Sequence, residues 1–435
     1  MTALHYGIVG GGMLGLALAR RLRAAGQAVT LLEAAPRLGG LASPWRIGAV
    51  EWDRYYHVIA GSDALLIGLL EELGLAGRLV WRTTRTNFYD GRRLSPLNNA
   101  WDYARLPALG PLDKLRLALT LVRAAAWRDR AVLEQQGAEQ WLTRLGGARN
   151  WRLLWRPLLR SKLGANADHA SAAYIWTVIR RFYGAREGGS KTERYGYVEG
   201  GYGPIVGALE RELAAAGATV LRSSPVASVR RAGAGWRIAL PTRTLDCDRV
   251  VLTCAAPLAA DLCPELPAAQ AALWRALRYQ GIVCASLLLD RPLGGAYMTY
   301  ITDERMPFTT VIEMSTLVDT ANFGGLHLAY CPRYVPCDDP VFEQDDATLA
   351  AQLQDGLHRL FPDLRAGQVK ALRIARARHV LAVPTRGYRP PPMASGLPGL
   401  YLLDSAQIVD AALTVNDTLR LAQRGAQHLL GDGGE

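Results

Sequence analysis

The residues near the start of the chain that are best suited to chemistry are three glycines, Gly10, Gly12 and Gly15, in the spacing G-x-G-x-x-G. In this pattern the first glycine permits a tight turn, the second lets the backbone approach a pyrophosphate, and the third allows close helix packing. Glu33 follows about 20 residues later, where an acidic side chain can accept hydrogen bonds from a ribose. The set predicts a dinucleotide-binding site.

The surrounding pattern supplies the elements that must position these residues. Residues 6–9 form an apolar run, and Leu14, Leu18 and Leu22 then recur on one helix face until Gly26. A second apolar run ends at the acidic residue, which completes a strand–helix–strand unit. The helix would begin at the phosphates, where its free N–H groups and partial positive charge favour an anion.

Composition and charge narrow the function classes. The chain has 435 residues, of which 50% are hydrophobic, and a formal net charge of +11. This excess of positive charge favours the binding of an anionic cofactor, a phosphorylated substrate, nucleic acid or an acidic lipid surface. Because the arginines are spread over the whole length without a recognisable module, we predict no nucleic-acid partner.

Cysteines, histidines and apolar stretches give three further expectations. The six cysteines form no C-x-x-C pair and the seven histidines are isolated, which predicts reduced thiols and no metal site. The first strand begins too early to leave room for a cleavable signal peptide, so we expect a cytoplasmic protein. Residues 115–127 are apolar but short and contain Arg116 and Arg123, so any membrane contact should be peripheral.

The remaining pattern predicts an α/β fold. Residues 62–182 are mainly helical, with segments at 63–73, 112–126 and 138–159. Helices are also expected at 204–216, 346–360 and 417–430. The predicted strands are 219–222, 236–240, 250–253, 279–290, 297–302, 309–314, 326–330 and 400–403.

Two further motifs follow the second strand. The first is Arg37-Leu38-Gly39-Gly40, whose paired glycines would let another stretch of backbone lie against a cofactor, and the second contains Asp53 and His57. With these motifs the chain resembles the FAD-dependent amine oxidase superfamily, which includes phytoene desaturases, protoporphyrinogen oxidases and, more distantly, UDP-galactopyranose mutases. Relatives usually carry a glycine between that aspartate and histidine, whereas Arg, Tyr and Tyr fill residues 54–56 here.

The resemblance covers most of the chain and implies FAD as the cofactor. Gly200 and Gly201 look like the family's Gly-Gly segment, and Val226 would hold the adenine side through its backbone. Near the end, Asp404 would meet the ribityl chain. The helix after Asn416 would point its N-terminus at the pyrimidine end of the flavin, where a helix dipole stabilises negative charge.

The resemblance also implies a discontinuous domain organisation. A Rossmann-type FAD-binding domain would be assembled from residues 1–61, 195–260 and 376–435. A substrate domain of inserted helices and an antiparallel sheet would take residues 62–194 and 261–375.

Three residues are candidates for a direct part in the reaction: Lys162, His57 and Tyr388. Lys162 lies in a segment similar to one that lines the substrate side in relatives, and its alternative is a solvated lysine at a helix end. His57 could equally be a structural histidine with satisfied hydrogen bonds. The further pocket candidates, by their place in the pattern, are Tyr195, Tyr197 and His379.

Four tryptophans interleaved with arginines in the helical region have two interpretations. They could form a membrane-surface face for a lipid-soluble substrate, or they could pack in a core beneath a charged outer face. These residues are Trp141, Trp151, Trp155 and Trp176.

The expected function is that of an FAD-dependent oxidoreductase. By resemblance, it would move hydride from a hydrophobic substrate to flavin N5, as a desaturase, dehydrogenase or oxidase. The first alternative is a UDP-galactopyranose mutase-like flavoenzyme that acts on a sugar nucleotide without net oxidation. The second is a flavin-binding protein without catalytic activity.

Overall fold

The predicted strand, turn and helix are present at the N-terminus. In the computed structural model, β1 (His5–Val9) leads into α1 (Met13–Ala24) and β2 (Ala28–Leu32), and the two strands are parallel neighbours. The helix buries Leu14 and Leu18, as the apolar spacing predicts. The structure describes residues 3–98, 102, 105, 109–184, 194–409 and 414–431.

The remaining strands lie before, within and after residues 62–182. They are β3 (Pro44–Ile47), β4 (Val50–Asp53), β5 (Ile59–Ala60), β6 (Leu79–Thr83), β7 (Thr86–Tyr89), β8 (Leu94–Pro96), β9 (Arg194–Val198), β10 (Thr219–Leu221), β11 (Ser228–Ala232), β12 (Gly235–Ala239), β13 (Thr244–Cys247), β14 (Arg249–Leu252), β15 (Tyr279–Leu289), β16 (Met298–Ile301), β17 (Thr310–Glu313), β18 (His327–Pro336), β19 (Val369–Ala382) and β20 (Leu400–Leu402).

The helices expected at 63–73, 112–126, 204–216, 346–360 and 417–430 are present with bounds within two residues of these, whereas those at Ala256–Leu262 and Ala268–Arg275 were not predicted. Eleven α-helices of five or more residues follow α1 in the described part of the chain. They are α2 (Ala64–Glu72), α3 (Pro111–Ala126), α4 (Arg130–Glu134), α5 (Ala138–Gly146), α6 (Arg156–Leu163), α7 (Ala172–Gly184), α8 (Gly203–Ala215), α9 (Ala256–Leu262), α10 (Ala268–Arg275), α11 (Asp346–Leu360) and α12 (Val415–Gly431).

A five-stranded parallel sheet organises the glycine-rich turn. Its strand order is β10-β2-β1-β14-β20, so that distant parts of the chain meet in one sheet. Residues of α1, α8 and α12 pack in one core with this sheet. In open parallel sheets, ligands bind at the carboxyl ends of the strands, which is where β1 meets its glycine turn.

A seven-stranded sheet has the order β19-β15-β18-β17-β16-β7-β8. Its neighbours are antiparallel except for β16 and β7, which run parallel, so the expected antiparallel sheet needs this correction. The long edge strand β19 was not predicted. Basic residues interrupt its apolar run at Lys370, Arg373, Arg376 and Arg378, and charged residues of this kind are typical of a sheet edge.

Two local expectations in the helical region were wrong. Strands β6, β7 and β8 lie within residues 62–182, and β6 and β7 pair with distant strands that a local pattern cannot reveal. The helix expected at 138–159 is interrupted because Gly147 has a φ of 87° and Pro157 starts a new helix after a π-helical turn at Trp151–Trp155.

The four tryptophans pack in the core of the helical region. Each is at most 6% exposed, and all belong to one apolar cluster. The packing interpretation is therefore the one that the structure supports for them. None of the helices among the described residues is both long and apolar enough to cross a bilayer.

Candidate functional site

The two glycine motifs form one cradle, which we call the glycine cradle and define as Gly10, Gly12, Gly15, Gly39 and Gly40. The N–H of Gly39 donates to the carbonyl of Gly11 at 2.8 Å, and Gly12 and Gly39 form a parallel bridge. The separated motifs therefore lie side by side, with two stretches of backbone open to a ligand.

Steric contacts explain why three of these positions are glycine. A Cβ on Gly15 would lie 1.9 Å from the carbonyl oxygen of Gly10, and a Cβ on Gly40 would lie 3.1 Å from Cα of Gly12. Gly10 itself has a φ of 118°, which side chains rarely adopt. At Gly12, by contrast, the nearest protein atom to a Cβ is 3.9 Å away, so this glycine keeps space for a ligand.

The N-terminus of α1 is suited to an anion. Its N-cap, Gly12, provides no side-chain hydrogen bond, and the first turn contains no acidic residue. The first N–H groups of the helix thus keep their capacity to donate, and the helix dipole adds partial positive charge. This arrangement fits the pyrophosphate of a dinucleotide.

Glu33, which directly follows β2, holds the glycine turn through hydrogen bonds to backbone N–H groups. One carboxylate oxygen accepts from the N–H of Gly11 and the other from the N–H of Ala35, both at 2.8 Å. Thr253, which the sequence analysis did not select, also contacts the glycine turn: its hydroxyl can donate to the carbonyl oxygens of Val9 and Gly10, each at 3.0 Å. The sequence signal that could have identified Thr253 is its position directly after β14.

Two further predicted cofactor-binding residues, Val226 and Arg37, lie in segments that are hydrogen-bonded to Glu33 or follow it in the chain. Val226 follows the turn in which the N–H of Ser224 donates to the carbonyl of Glu33 at 2.8 Å. Arg37 is exposed and forms an ion pair with Glu51 at 3.1 Å.

Asp53 fixes the turn that contains the Gly-Gly segment. Its carboxylate accepts from the N–H of Tyr202 at 2.8 Å, and a Cβ on Gly201 would lie only 2.7 Å from the same oxygen. Burial raises the pKa of Asp53 to about 7, while the bond from Tyr202 opposes that shift. This carboxyl group therefore joins the β4 end to the start of α8.

His57 is held as a neutral ring with one nitrogen left as an acceptor. Its Nδ1 lies 2.9 Å from the carbonyl of Tyr55, which can only accept, so Nδ1 carries a proton and, in the neutral ring, Nε2 is the acceptor. The ring packs 4.8 Å from that of Tyr202, measured between centroids. Burial lowers the pKa of His57 to about 4.

Lys162 belongs to a half-buried group that we call the lysine–tyrosine cluster, formed with Tyr56 and Tyr334. Its Nζ donates to the Tyr56 hydroxyl at 2.6 Å, and the two tyrosine hydroxyls lie 2.8 Å apart. Burial raises the pKa of both tyrosines, and the Lys162 charge opposes this at Tyr334. Because its Nζ is hydrogen-bonded to Tyr56, Lys162 is not a freely solvated lysine at a helix end.

Asp404 and Tyr388 lie in a third group near the end of β20. The Asp404 carboxylate accepts from the N–H of Ala256 at 2.7 Å and from the hydroxyl of Tyr279. Burial raises the pKa of Asp404, and burial together with this carboxylate raises that of Tyr388. The Tyr388 hydroxyl donates to the carbonyl of Ala406 at 2.8 Å.

The side chain of Asn416 is engaged within the protein. Its Oδ1 accepts from the N–H groups of Leu65 and Leu66, at 2.9 and 3.2 Å, and so satisfies the start of α2. This amide oxygen of Asn416 therefore serves the fold at the start of α2.

The other pocket candidates are packed against aromatic neighbours. Tyr195 lies 5.8 Å from Tyr297 and His379 lies 5.3 Å from Tyr279, measured between ring centroids. Tyr197 is 4% exposed. Tyr334 and Tyr279, the partners of Lys162 and Asp404, escaped the sequence reasoning because no linear motif contains them.

Comparison with known proteins identifies a family pattern along the chain. The sequence model described as flavin containing amine oxidoreductase matches residues 14–430. The 15-cis-phytoene desaturase of Glycine max is 28% identical over 163 residues, which are 34% of this chain and 29% of that protein. The coproporphyrinogen III oxidase of Mycobacterium bovis is 38% identical over 107 residues, 22% of each chain.

Solved structures share the fold along almost the full length. A protein of Exiguobacterium sp. 255-15, provisionally assigned as a protoporphyrinogen oxidase, has a TM-score of 0.80 at 19% identity over 99% of this chain and 100% of that one. Reduced UDP-galactopyranose mutase has a TM-score of 0.76 at 15% identity, over 100% of this chain and 95% of that one.

Proposed function

This chain belongs to the flavin-containing amine oxidoreductase family, and we propose that it oxidises a hydrophobic small molecule by hydride transfer to FAD. FAD is the cofactor of the chain, and the glycine cradle fits it because two glycine backbones and a helix N-terminus leave room for a pyrophosphate. The matched stretches span under a third of the curated relatives, so the reaction itself is our proposal.

The observation that carries the proposal is the link between the lysine–tyrosine cluster and residues 53–57. Tyr56 contacts Lys162, while the next residue, His57, keeps an unprotonated Nε2. Asp53, at the other end of this segment, is tied to the turn before α8. Segment 53–57 thus carries a neutral acceptor, His57, and binds the amino group of Lys162 through Tyr56.

The proposed reaction is a desaturation or dehydrogenation. FAD supplies the hydride acceptor, N5 of its ring. His57 Nε2 would accept the proton that leaves the adjacent carbon or nitrogen of the substrate. Lys162, held by Tyr56, provides positive charge for a polar end of the substrate.

The hydrophobic substrate is supported by the aromatic surroundings of Lys162. Its Nζ lies 5.2 and 5.1 Å from the ring centroids of Tyr56 and Tyr334, and Tyr174 is buried nearby with a raised pKa. Aromatic rings around one ammonium group suit an apolar substrate that has one polar end.

Anaerobic bleaching of the flavin tests the proposal. Polyenes, porphyrinogens and fatty-acyl compounds are added one at a time to the air-purified protein without oxygen, and the loss of visible absorbance is followed. Bleaching by one class, with recovery on admission of an acceptor, supports it. A flavin that no substrate reduces, and that chemical reductants also fail to reduce, supports a flavin-binding protein without catalytic activity instead.

A mutase-like reaction on a sugar nucleotide is the second candidate, favoured by a surface cavity of about 540 Å³ beside β3 and β19. Five arginines line it, and Arg46, Arg54 and Arg373 have no carboxylate partner among the described residues: the lining arginines are Arg37, Arg46, Arg54, Arg373 and Arg376. Guanidinium groups suit a diphosphate. Isomerisation of UDP-galactopyranose by chemically reduced protein, without net oxidation, would favour this candidate.

We also propose the location and the division into domains. Six unpaired cysteines suit the reducing cytoplasm, and peripheral contact with a membrane would give access to a lipid-soluble substrate. The FAD-binding domain takes residues 1–61, 195–260 and the C-terminal segment. Because β19 (Val369–Ala382) runs through position 376 within the seven-stranded sheet, we place this last boundary after Ala382.

A further inference from the structure

Helix α3 carries a stripe of exposed aliphatic side chains, which we call the α3 stripe: Leu112, Leu115, Leu119 and Val122. They are 58%, 58%, 44% and 61% exposed, respectively. At 3.6 residues per turn they fall within an arc of about 80°. Scattered exposed leucines are ordinary, but four on one helix face form a contiguous apolar surface.

The α3 stripe lies opposite the side that holds the helix to the protein. The buried residues of α3 are Asp113, Leu117, Thr120 and Ala124, and their mean direction is about half a turn from the stripe. The helix therefore has two apolar faces, of which only one is used for packing. Packing of the helix against the protein does not explain why the α3 stripe is apolar.

The charges of α3 fit an anionic surface. Arg116 and Arg123 are exposed and follow one edge of the stripe, and Lys114 lies beyond its other edge. The helix contains a single acidic residue, Asp113, which is buried and paired with Arg149 at 3.1 Å. No negative charge of the helix therefore opposes its outward-facing cations.

We propose that the α3 stripe docks the protein onto an anionic lipid bilayer, with α3 lying in the plane of the interface. The four aliphatic side chains would enter the region between headgroups and acyl chains, while the flanking cations would reach the phosphates. A second copy of the chain is a poorer occupant, because a two-fold contact between antiparallel copies of α3 would bring Arg116 and Arg123 of one copy towards those of the other. The proposal is independent of the reaction proposed above.

Vesicle flotation of the FAD-containing protein tests the docking surface. Vesicles are made of phosphatidylcholine, with and without phosphatidylglycerol. The double variant Leu115→Gln/Val122→Gln should lower the partition coefficient by about tenfold or more, because two apolar side chains no longer enter the interface. Arg116→Gln and Arg123→Gln should each lower it about fivefold, on the anionic vesicles alone.

The matched control is Leu258→Gln/Leu273→Gln, two leucines of α9 and α10 that are 45% and 64% exposed. It should bind vesicles like the parent protein. Bound flavin, read from visible absorbance, should be equal in all variants, which separates this test from that of the reaction. Equal vesicle binding by both double variants, or a dimer that only the α3 variant loses, would overturn the proposal.

Discussion

The amino nitrogen of Lys162 donates to the hydroxyl of Tyr56 at 2.6 Å, across a separation of 106 residues. This contact joins the helical region to the segment that contains Asp53 and His57. It places a positive charge among half-buried tyrosines, where electrostatic interactions are stronger than in water. The first prediction follows from this contact.

Replacement of Lys162 by methionine should slow the reaction without loss of FAD. Removal of one charged group at a reaction site typically costs about 10²-fold in rate. The rate of anaerobic bleaching should therefore fall by about 100-fold, with unchanged visible absorbance before substrate is added. Lys370→Met, which removes a surface lysine paired with Asp290, is the control. If Lys162→Met and Lys370→Met are bleached at the same rate, Lys162 takes no part in the reaction.

Two glycine substitutions should separate cofactor binding from folding. Gly12→Ala places a methyl group where no protein atom lies within 3.9 Å, so the fold should persist while FAD binding is lost. Gly15→Ala should destabilise the protein itself, because its Cβ would lie 1.9 Å from the carbonyl oxygen of Gly10. Thermal unfolding and flavin content measure the two effects.

Gly68→Ala is the matched control for these substitutions. Gly68 lies within α2, and nothing stands within 4 Å of the added Cβ. Alanine is the better helix former there, so stability should rise by about 0.5–1 kcal/mol with unchanged flavin content. A Gly12→Ala protein that keeps its full flavin content would contradict the assignment of the cradle.

The pH dependence of stability should reveal the buried Asp53. Its pKa is raised from 3.8 to about 7 in the folded protein, so the folded state binds more protons than the unfolded state between these values. Stability should therefore fall as pH rises through this window, by up to about 1.4 kcal/mol per pH unit. Asp53→Asn should abolish this decline.

Urea unfolding at several pH values measures the effect. Asp246→Asn is the control, because the pKa of this exposed carboxyl is lowered by Arg237 and its contribution has the opposite sign. Parallel curves for the parent protein and Asp53→Asn would show that the carboxyl is not the source of the slope.

Asn416→Ala should destabilise the fold modestly. The change removes the oxygen that accepts from the N–H groups of Leu65 and Leu66, and an unsatisfied helix start typically costs about 1–2 kcal/mol. Chemical unfolding measures this loss. Asn322→Ala, at a partly exposed turn, should have a smaller effect. If the two variants lose equal stability, the cap at α2 contributes little.

The structural features that could be predicted from the sequence are those that depend on a local pattern of residues. The strand, turn and helix around Gly10 follow from spacing alone, and α11 has the expected bounds, 346–360. The pairing of β7 with β16 and the meeting of Lys162 with Tyr334 depend on residues far apart in the chain. Such contacts are decided by packing of whole elements, which periodicity does not record.

The sequence was least informative where a side chain serves the fold and a site at once. The aspartate motif predicts Asp53, but not that its carboxylate would accept from the N–H of Tyr202. The family resemblance points to α12, but not to the amide of Asn416 being bound to α2. Each of these interactions needs the position of a second, distant backbone.

The most direct test of the account is the visible absorption spectrum of the protein purified in air, with chromatography of the compound released by heat. The account predicts a yellow protein that releases FAD, together with a colourless but folded Gly12→Ala variant. A parent protein that is colourless and takes up no added FAD would contradict it.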